Sequence, residues 1–273
     1  MHPEPAATTT DDADVEPPSI GLLSKQTLSE RRCLKRQHAS NVVRVINDEL
    51  WACQDNGKVQ VFADDLTPGA LLFDRRWQNV NDVTALPAGG VMLAASTGLY
   101  LLSPRGGTKS VVDQGPRYSS CVAIDDSVFA YCCNTQRLVE FKLQSNEWKK
   151  VNSFRLPVPR HSAVSLATTQ RGTVMYSCPT SNVIRELSPS GEVVASFEST
   201  AGNVKLCPGD VTDVVLVADK QNNCFQVYEC ISSGWRDLDL QPPVKSPHSA
   251  VVINDKLCVT SDGGNTLSLY ESQ

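Results

Sequence analysis

The chain has 273 residues, 41% of them hydrophobic, 6% aromatic and 20% charged, which is enough apolar material for one or two packed domains. Its 25 Lys and Arg against 30 Asp and Glu give a formal charge of −5, excluding a surface that coats nucleic acid or an anionic membrane all over. No stretch approaches the roughly 18 apolar residues of a membrane-crossing helix.

Residues 1–18, MHPEPAATTTDDADVEPP, offer almost nothing to bury and are expected to form a disordered acidic tail. Their acids, with no Lys, Arg or apolar core, are the opposite of a secretory signal, so a cytoplasmic location is expected. From Ser19 the chain turns apolar (SIGLLS, 19–24) and then basic at Lys25, Arg31, Arg32, Lys35 and Arg36. Residues 19–37 are read as a strand followed by a basic connector. The ten cysteines lie in a large chain with no Asn-x-Ser/Thr acceptor, and are read as reduced thiols.

From residue 38 to 273 a period of about 40 residues organises the chain. The clearest units are HASNVVRVINDELWACQDNGKVQVF from His38, RHSAVSLATTQRGTVMYSCPTSNVIREL from Arg160 and PHSAVVINDKLCVTSDGGNTLSLY from Pro247. Each reads as an apolar strand, a turn, a second apolar strand, a polar turn and a third alternating strand. Third strands end at Phe62, Phe141, Leu187, Tyr228 and Tyr270, and the weaker unit VTALPAGGVMLAASTGLYLLS fills the one double gap, which makes six units. GALLF, KSVVD, WKKVNSF, EVVASF and WRDLDL supply fourth strands to the first five. Apolar/polar alternation broken by Gly, Asn, Asp and Pro, with no sustained helical period, predicts an all-β, six-bladed β-propeller of four-stranded antiparallel blades. The sixth unit lacks a fourth strand, so an N-terminal strand at 19–24 is expected to close the last blade and remove its open edge.

The segments VLVADKQNNCFQVY (215–228) and GTVMYSCPTSNVIRELSPSGEVVASF (172–197) resemble NHL repeats of the tripartite-motif type, with Asp219, Asn222 and Asn223 at the pattern's polar turn, Gly191 at its later turn and Arg185 at its usual arginine. Cys53, Cys132, Cys178 and Ser261 depart from the pattern's aspartate. A kelch resemblance competes: Phe141 with Trp148, and Tyr228 with Trp235, have its aromatic spacing, although its double glycine survives only as a displaced Gly263-Gly264. Either resemblance implies a six-bladed propeller over residues 38–273. The three cysteines recur at one repeat position and are expected to pack between blades; no CxxC pair points to a metal.

The expected binding site is the set of loops joining each blade to the next. These windows carry nine bases (Lys35, Arg36, Arg75, Arg76, Arg117, Arg155, Arg160, Lys205 and Lys245) against Asp74, Asp113 and Glu198. Trp77, Tyr118, His161 and Asn203 lie among them, and exposed aromatics beside arginines are what interface anchors look like. His38, His161 and His248 stand at equivalent starts of innermost strands; His161 and His248 join the expected partner-binding set of Arg36, Arg75, Arg76, Trp77, Arg117, Tyr118, Arg160, Asn203, Lys205 and Lys245.

No GxSxG, HExxH, P-loop or GxGxxG motif is present, and no catalytic residue or cofactor is assigned. A lactonase-like hydrolase would need carboxylates in the channel to hold a metal, for which Asp82 is the main candidate. The expected function is a non-catalytic, monomeric interaction module, with no membrane partner, whose basic face holds an acidic or phosphorylated protein segment. The NHL and kelch resemblances imply an adaptor or substrate-recognition role in a ubiquitin ligase assembly, which would need another subunit because no RING, B-box, BTB or coiled-coil segment is present. Single-stranded RNA on the same face is the alternative partner.

Overall fold

Each unit of about 40 residues alternates apolar and polar side chains, so it pairs its own strands in chain order and buries both sheet faces against its neighbours. The computed structural model describes residues 28–35, 39–103, 107–169, 171–199, 205–208, 214–231, 234–237, 244–254 and 256–272. After β1 (Leu28–Lys35), blade 1 is β2 (Ser40–Ile46), β3 (Glu49–Gln54), β4 (Lys58–Phe62) and β5 (Pro68–Phe73). Blade 2 is β6 (Val80–Ala85), β7 (Val91–Ala95), β8 (Gly98–Leu102) and β9 (Thr108–Gln114). Blade 3 follows with β10 (Tyr118–Ile124), β11 (Ser127–Cys132), β12 (Arg137–Gln144) and β13 (Glu147–Arg155). Blade 4 is β14 (Ser165–Thr168), β15 (Val174–Ser177), β16 (Val183–Leu187) and β17 (Val193–Glu198). Blade 5 is β18 (Leu206–Pro208), β19 (Val214–Asp219), β20 (Cys224–Ile231) and β21 (Gly234–Asp237), and blade 6 begins with β22 (Pro247–Ile253), β23 (Lys256–Ser261) and β24 (Thr266–Ser272). A single 3-10 turn, Asp262–Gly264, is the only helical element among the described residues, and no helix there is long and apolar enough to cross a membrane.

The fourth strand of blade 6 is β1, antiparallel to β24 with Leu28 opposite Ser272 and Lys35 opposite Thr266. The N-terminal region therefore supplies the closing strand, but through residues 28–35; the expected strand at 19–24 and the tail 1–18 lie outside the described residues. The charged sequence LSERRCLK suits this position because an outermost strand keeps one face and one edge in water, as the exposed Arg32 and Lys35 do. The seam also reaches blade 1: the Arg32 guanidinium donates to the Asp65 carbonyl at 2.6 Å, and Lys256 meets the Asp64 carboxylate at 3.2 Å.

Six apolar clusters fill the six gaps between blades, and the period of two explains how one strand serves two of them. In blade 1, Val42, Trp51 and Cys53 pack toward Val80, Val83 and Leu93 of blade 2, while Val43, Leu50 and Ala52 pack toward Val251, Ile253 and Leu269 of blade 6. Cys53, Cys132 and Cys178 are each buried in an interblade cluster. Cys53, Cys121, Cys132, Cys133, Cys178, Cys207, Cys224 and Cys258 are buried free thiols, and Cys33 is an exposed one. Burial pushes the Cys121, Cys133 and Cys207 thiols upward, as expected of packing groups rather than nucleophiles.

Candidate functional site: the channel mouth and its basic rim

The loops between blades and the turns between second and third strands share one face, tied by backbone bonds: Asp55 N–H to Ala39 O, Ser96 N–H to Asn79 O, Cys133 N–H to Arg117 O and Val244 N–H to Asn223 O. The contact is tight in blade 1. A Cβ on Gly57, whose φ is +77°, would lie 2.5 Å from the Trp77 carbonyl, so this turn holds the loop that carries Arg75 and Arg76.

Innermost strands begin at this face, and in four blades they begin with a one-residue irregularity, between Ser40 and Val42, Val80 and Asp82, Tyr118 and Ser120, and Pro247 and Ser249. In three of them the residue after it, Asp82, Ser120 or Ser249, accepts a backbone N–H from the inner strand of the next blade, and Ser165 does the same in blade 4. Val43 N–H donates to Ser249 Oγ at 3.4 Å, Cys121 N–H to Asp82 Oδ2 at 3.3 Å, Leu166 N–H to Ser120 Oγ at 3.1 Å and Leu206 N–H to Ser165 Oγ at 2.9 Å. Lys205 holds the equivalent place in blade 5, where its carbonyl takes the Ala218 N–H. An ammonium cannot accept, and the Ala250 N–H turns instead to Cys207 Sγ at 3.3 Å.

This ring encloses a cavity of about 350 Å³ at the channel mouth, to which all six blades contribute. Arg44 of β2 and Asp82 of β6, 7% and 1% exposed, form an ion pair at 3.0 Å. Asp82 Oδ2 also accepts from the Ser120 hydroxyl, and Oδ1 from Val83 N–H at 3.0 Å. Opposite them Lys205 Nζ lies 3.3 Å from His248 Nε2. Burial pushes the Lys205 ammonium down to about 8; the Arg44 and Lys220 charges act in the same direction, and Asp82 opposes them.

The residues expected to bind a partner separate into three groups. Arg75, Arg117, Arg160, His161 and Lys245 are exposed on this face, and Arg160 and His161 flank a rim pocket with Asn134 and Gln136. Lys205 and His248 are half-buried in the channel mouth. Arg36, Asn203 and His38 lie outside the described residues. Two expectations need correction. Trp77 and Tyr118, expected as exposed anchors, are 3% and 1% exposed: Trp77 packs against Tyr100 between blades 1 and 2, and Tyr118 donates its hydroxyl to Asp113 at 2.6 Å. Arg76 is exposed, but its guanidinium is spent locally on Asp74, at 2.5 Å. The Arg76 hydrogen bonds, with help from Thr108, hold that carboxyl well below the usual carboxylate range.

Asp82, the main candidate for holding a channel metal, is instead committed to Arg44, Ser120 and backbone N–H groups, and no group of three or more His, Cys, Asp and Glu capable of holding a metal occurs among the described residues. Sequence reasoning passed over Arg44, Lys220, Ser120 and Ser165. Arg44 was visible as the one charge in the inner strand NVVRVI, whereas Ser120, Ser165 and Lys205 fall at different distances from the starts of their strands and share a position only through the hydrogen bonds between blades.

No protein-family description matches the chain, and no curated protein matches it in sequence. Solved structures do match in fold. A chain of the mitotic checkpoint complex superposes with a TM-score of 0.63 at 10% identity, over 99% of both chains. The Cps50 (Swd1) β-propeller domain of Myceliophteria thermophila gives 0.62 at 11% identity, over 90% of this chain and 100% of that one. Virginiamycin B lyase from Staphylococcus aureus gives 0.60 at 12% identity, over 84% and 79%. At such identities the likeness is one of fold.

Proposed function

We propose that the protein is a non-catalytic interaction module that holds an acidic or phosphorylated protein segment on the loop face of its propeller. The observation that carries this reading is the cationic rim around the channel mouth: Arg75, Arg117, Arg160 and Lys245 are exposed with no carboxylate in ion-pair contact among the described residues, while Asp74 and Asp113 are engaged by Arg76 and Tyr118. Exposed guanidinium and ammonium groups around a concave centre favour carboxylate or phosphate partners. The propeller in the mitotic checkpoint complex supports the reading by analogy, since that chain belongs to a complex. The lyase shows that this architecture also carries enzymes, but the Asp82 carboxylate in the channel here is paired with Arg44. The NHL and kelch resemblances extend the proposal to an adaptor or substrate-recognition part of a ubiquitin ligase assembly.

The test replaces Arg75, Arg117, Arg160 and Lys245 together by Glu and measures binding of a fluorescent polyglutamate peptide. Capture is lost while the melting temperature stays within a few degrees of the wild type, because the four side chains are exposed; unchanged binding would falsify the rim reading. RNA is the weaker alternative because burial of Trp77 and Tyr118 removes the aromatic platforms on which bases would stack. Absence of binding to single-stranded RNA at about 0.15 M salt removes it.

A further inference from the structure

Arg160 and His161, with Asn134 and Gln136 of the turn between β11 and β12, line a rim pocket of about 230 Å³ that no carboxylate lines among the described residues. Loop length puts them there. After blades 3 and 5 the loop leaves from the same anchor, Leu156 N–H on Gln136 O and Val244 N–H on Asn223 O, and reaches the ring of interblade acceptors at Ser165 and Ser249. The run from Leu156 to Ser165 is four residues longer than the run from Val244 to Ser249. His161 and His248 open the same His-Ser-Ala-Val sequence, yet His248 lines the channel mouth while the added length carries His161 out to the rim. There Ser162 N–H closes a turn on Pro159 O at 3.3 Å, with Arg160 and His161 at its centre and His161 at φ +60°, where glycine meets least strain.

The fold uses only part of these four side chains. Asn134 Oδ1 accepts the Arg117 N–H at 2.7 Å, which leaves the Nδ2 donor unused, and Gln136 Nε2 donates to Val158 O at 2.6 Å, which leaves the Oε1 acceptor unused. The Arg160 guanidinium and the His161 ring make no hydrogen bond or ion pair among the described residues. Resting on the proposed reading of the loop face, we propose that this pocket is the subsite for one carboxylate side chain of the bound segment. The Arg160 fork meets its two oxygens, Asn134 Nδ2 and the His161 ring add donors, and Gln136 Oε1 takes an N–H of the segment's backbone. The permanent charge of the pocket is one guanidinium, which matches the single charge and planar oxygen pair of a carboxylate. A phosphate monoester brings close to two charges and only acceptor oxygens, which Gln136 Oε1 repels.

The experiment titrates the isotope-labelled full chain, by NMR, with Gly-Ser peptides identical except for one central Glu, Gln or phosphoserine, and in parallel with the fluorescent polyglutamate peptide. The Glu peptide binds at least about tenfold more tightly than the Gln peptide and shifts the Asn134 side-chain amide. Arg160→Gln abolishes that preference. Asn134→Asp keeps an acceptor for the Arg117 N–H but puts a carboxylate oxygen in place of the donor, and brings the Glu peptide down to the level of the Gln peptide. His161→Gly weakens the Glu peptide by about threefold while the melting temperature holds or rises, because glycine relieves the left-handed backbone; a histidine needed only by the fold would lower the melting temperature instead. Arg75→Glu with Lys245→Glu weakens polyglutamate and preserves the preference for Glu over Gln. Equal affinity for the Glu and Gln peptides, a preference that survives Arg160→Gln, or tighter binding of the phosphoserine peptide than of the Glu peptide overturns the subsite, and polyglutamate binding that persists leaves the rim intact. If polyglutamate does not bind, the rim reading fails and the Glu peptide decides: a preference over Gln that Arg160→Gln removes supports a pocket for an isolated carboxylate, and no preference overturns it.

Discussion

Lys205 stands where Ser120, Ser165 and Ser249 accept interblade hydrogen bonds, and its ammonium is held down to about 8, chiefly by burial, against an ordinary value of 10.5. Because the folded value lies below the unfolded one, the unfolded chain binds more protons at this residue between about pH 8 and 10.5. The stability lost to this lysine is therefore fully lost below that window and is regained as pH rises through it. Lys205→Met is expected to melt higher than the wild type at pH 7, with the gap closing toward about pH 10.5 in urea titrations run across the range; a gap that stays constant would remove burial as the cause. Taking the difference between variant and wild type matters, because burial pushes Tyr118, Tyr131 and Tyr228 upward and these phenols destabilise the fold at the same alkaline end. At this scale Lys205 was legible as a loop cation in the sequence, but its surroundings were not: Arg44 and Asp82 are 38 positions apart and meet only across two blades.

The closing strand β1 decides the integrity of blade 6. It pairs with β24 along its length, Leu34 packs against the cluster that contains Leu267 and Leu269, and the Glu30 carboxylate accepts from the Ser268 hydroxyl at 3.3 Å. Removing residues 1–27 leaves this strand in place and is expected to leave the melting temperature near that of the full chain. Removing residues 1–35 bares the edge of β24 and is expected to lower the melting temperature by more than about 5 °C and to promote self-association, read by calorimetry and light scattering. Equal melting of the two truncations would show that β1 does not hold the ring closed. The existence of such a strand followed from the missing fourth strand of the sixth unit. Its position did not, because an outermost strand is half in water and the charged run from Ser29 to Lys35 meets that demand without the apolar signal that marks inner strands.

Across the whole molecule, two cationic zones with different access to water share one face. The rim residues Arg75, Arg160 and Lys245 are exposed, so mobile ions screen them; Arg44 is buried and Lys205 half-buried within the channel mouth, where screening is weaker. Polyglutamate affinity is therefore expected to fall by more than about tenfold between roughly 0.05 and 0.5 M salt in anisotropy titrations; an affinity that does not change with salt would remove the rim as the binding surface. The sequence by itself determined the blade number, the four-strand pattern and the packing role of Cys53, Cys132 and Cys178, because alternation, turn residues and period are local properties that repeat along the chain. Only the tertiary structure decided that Trp77 and Tyr118 face inward, that Arg76 is spent on Asp74, and that Arg44, Lys205 and Lys220 converge. Closing six sheets into a ring brings residues one or several repeats apart to a common axis, and which side chains point along that axis depends on strand starts and loop turns that no local pattern specifies.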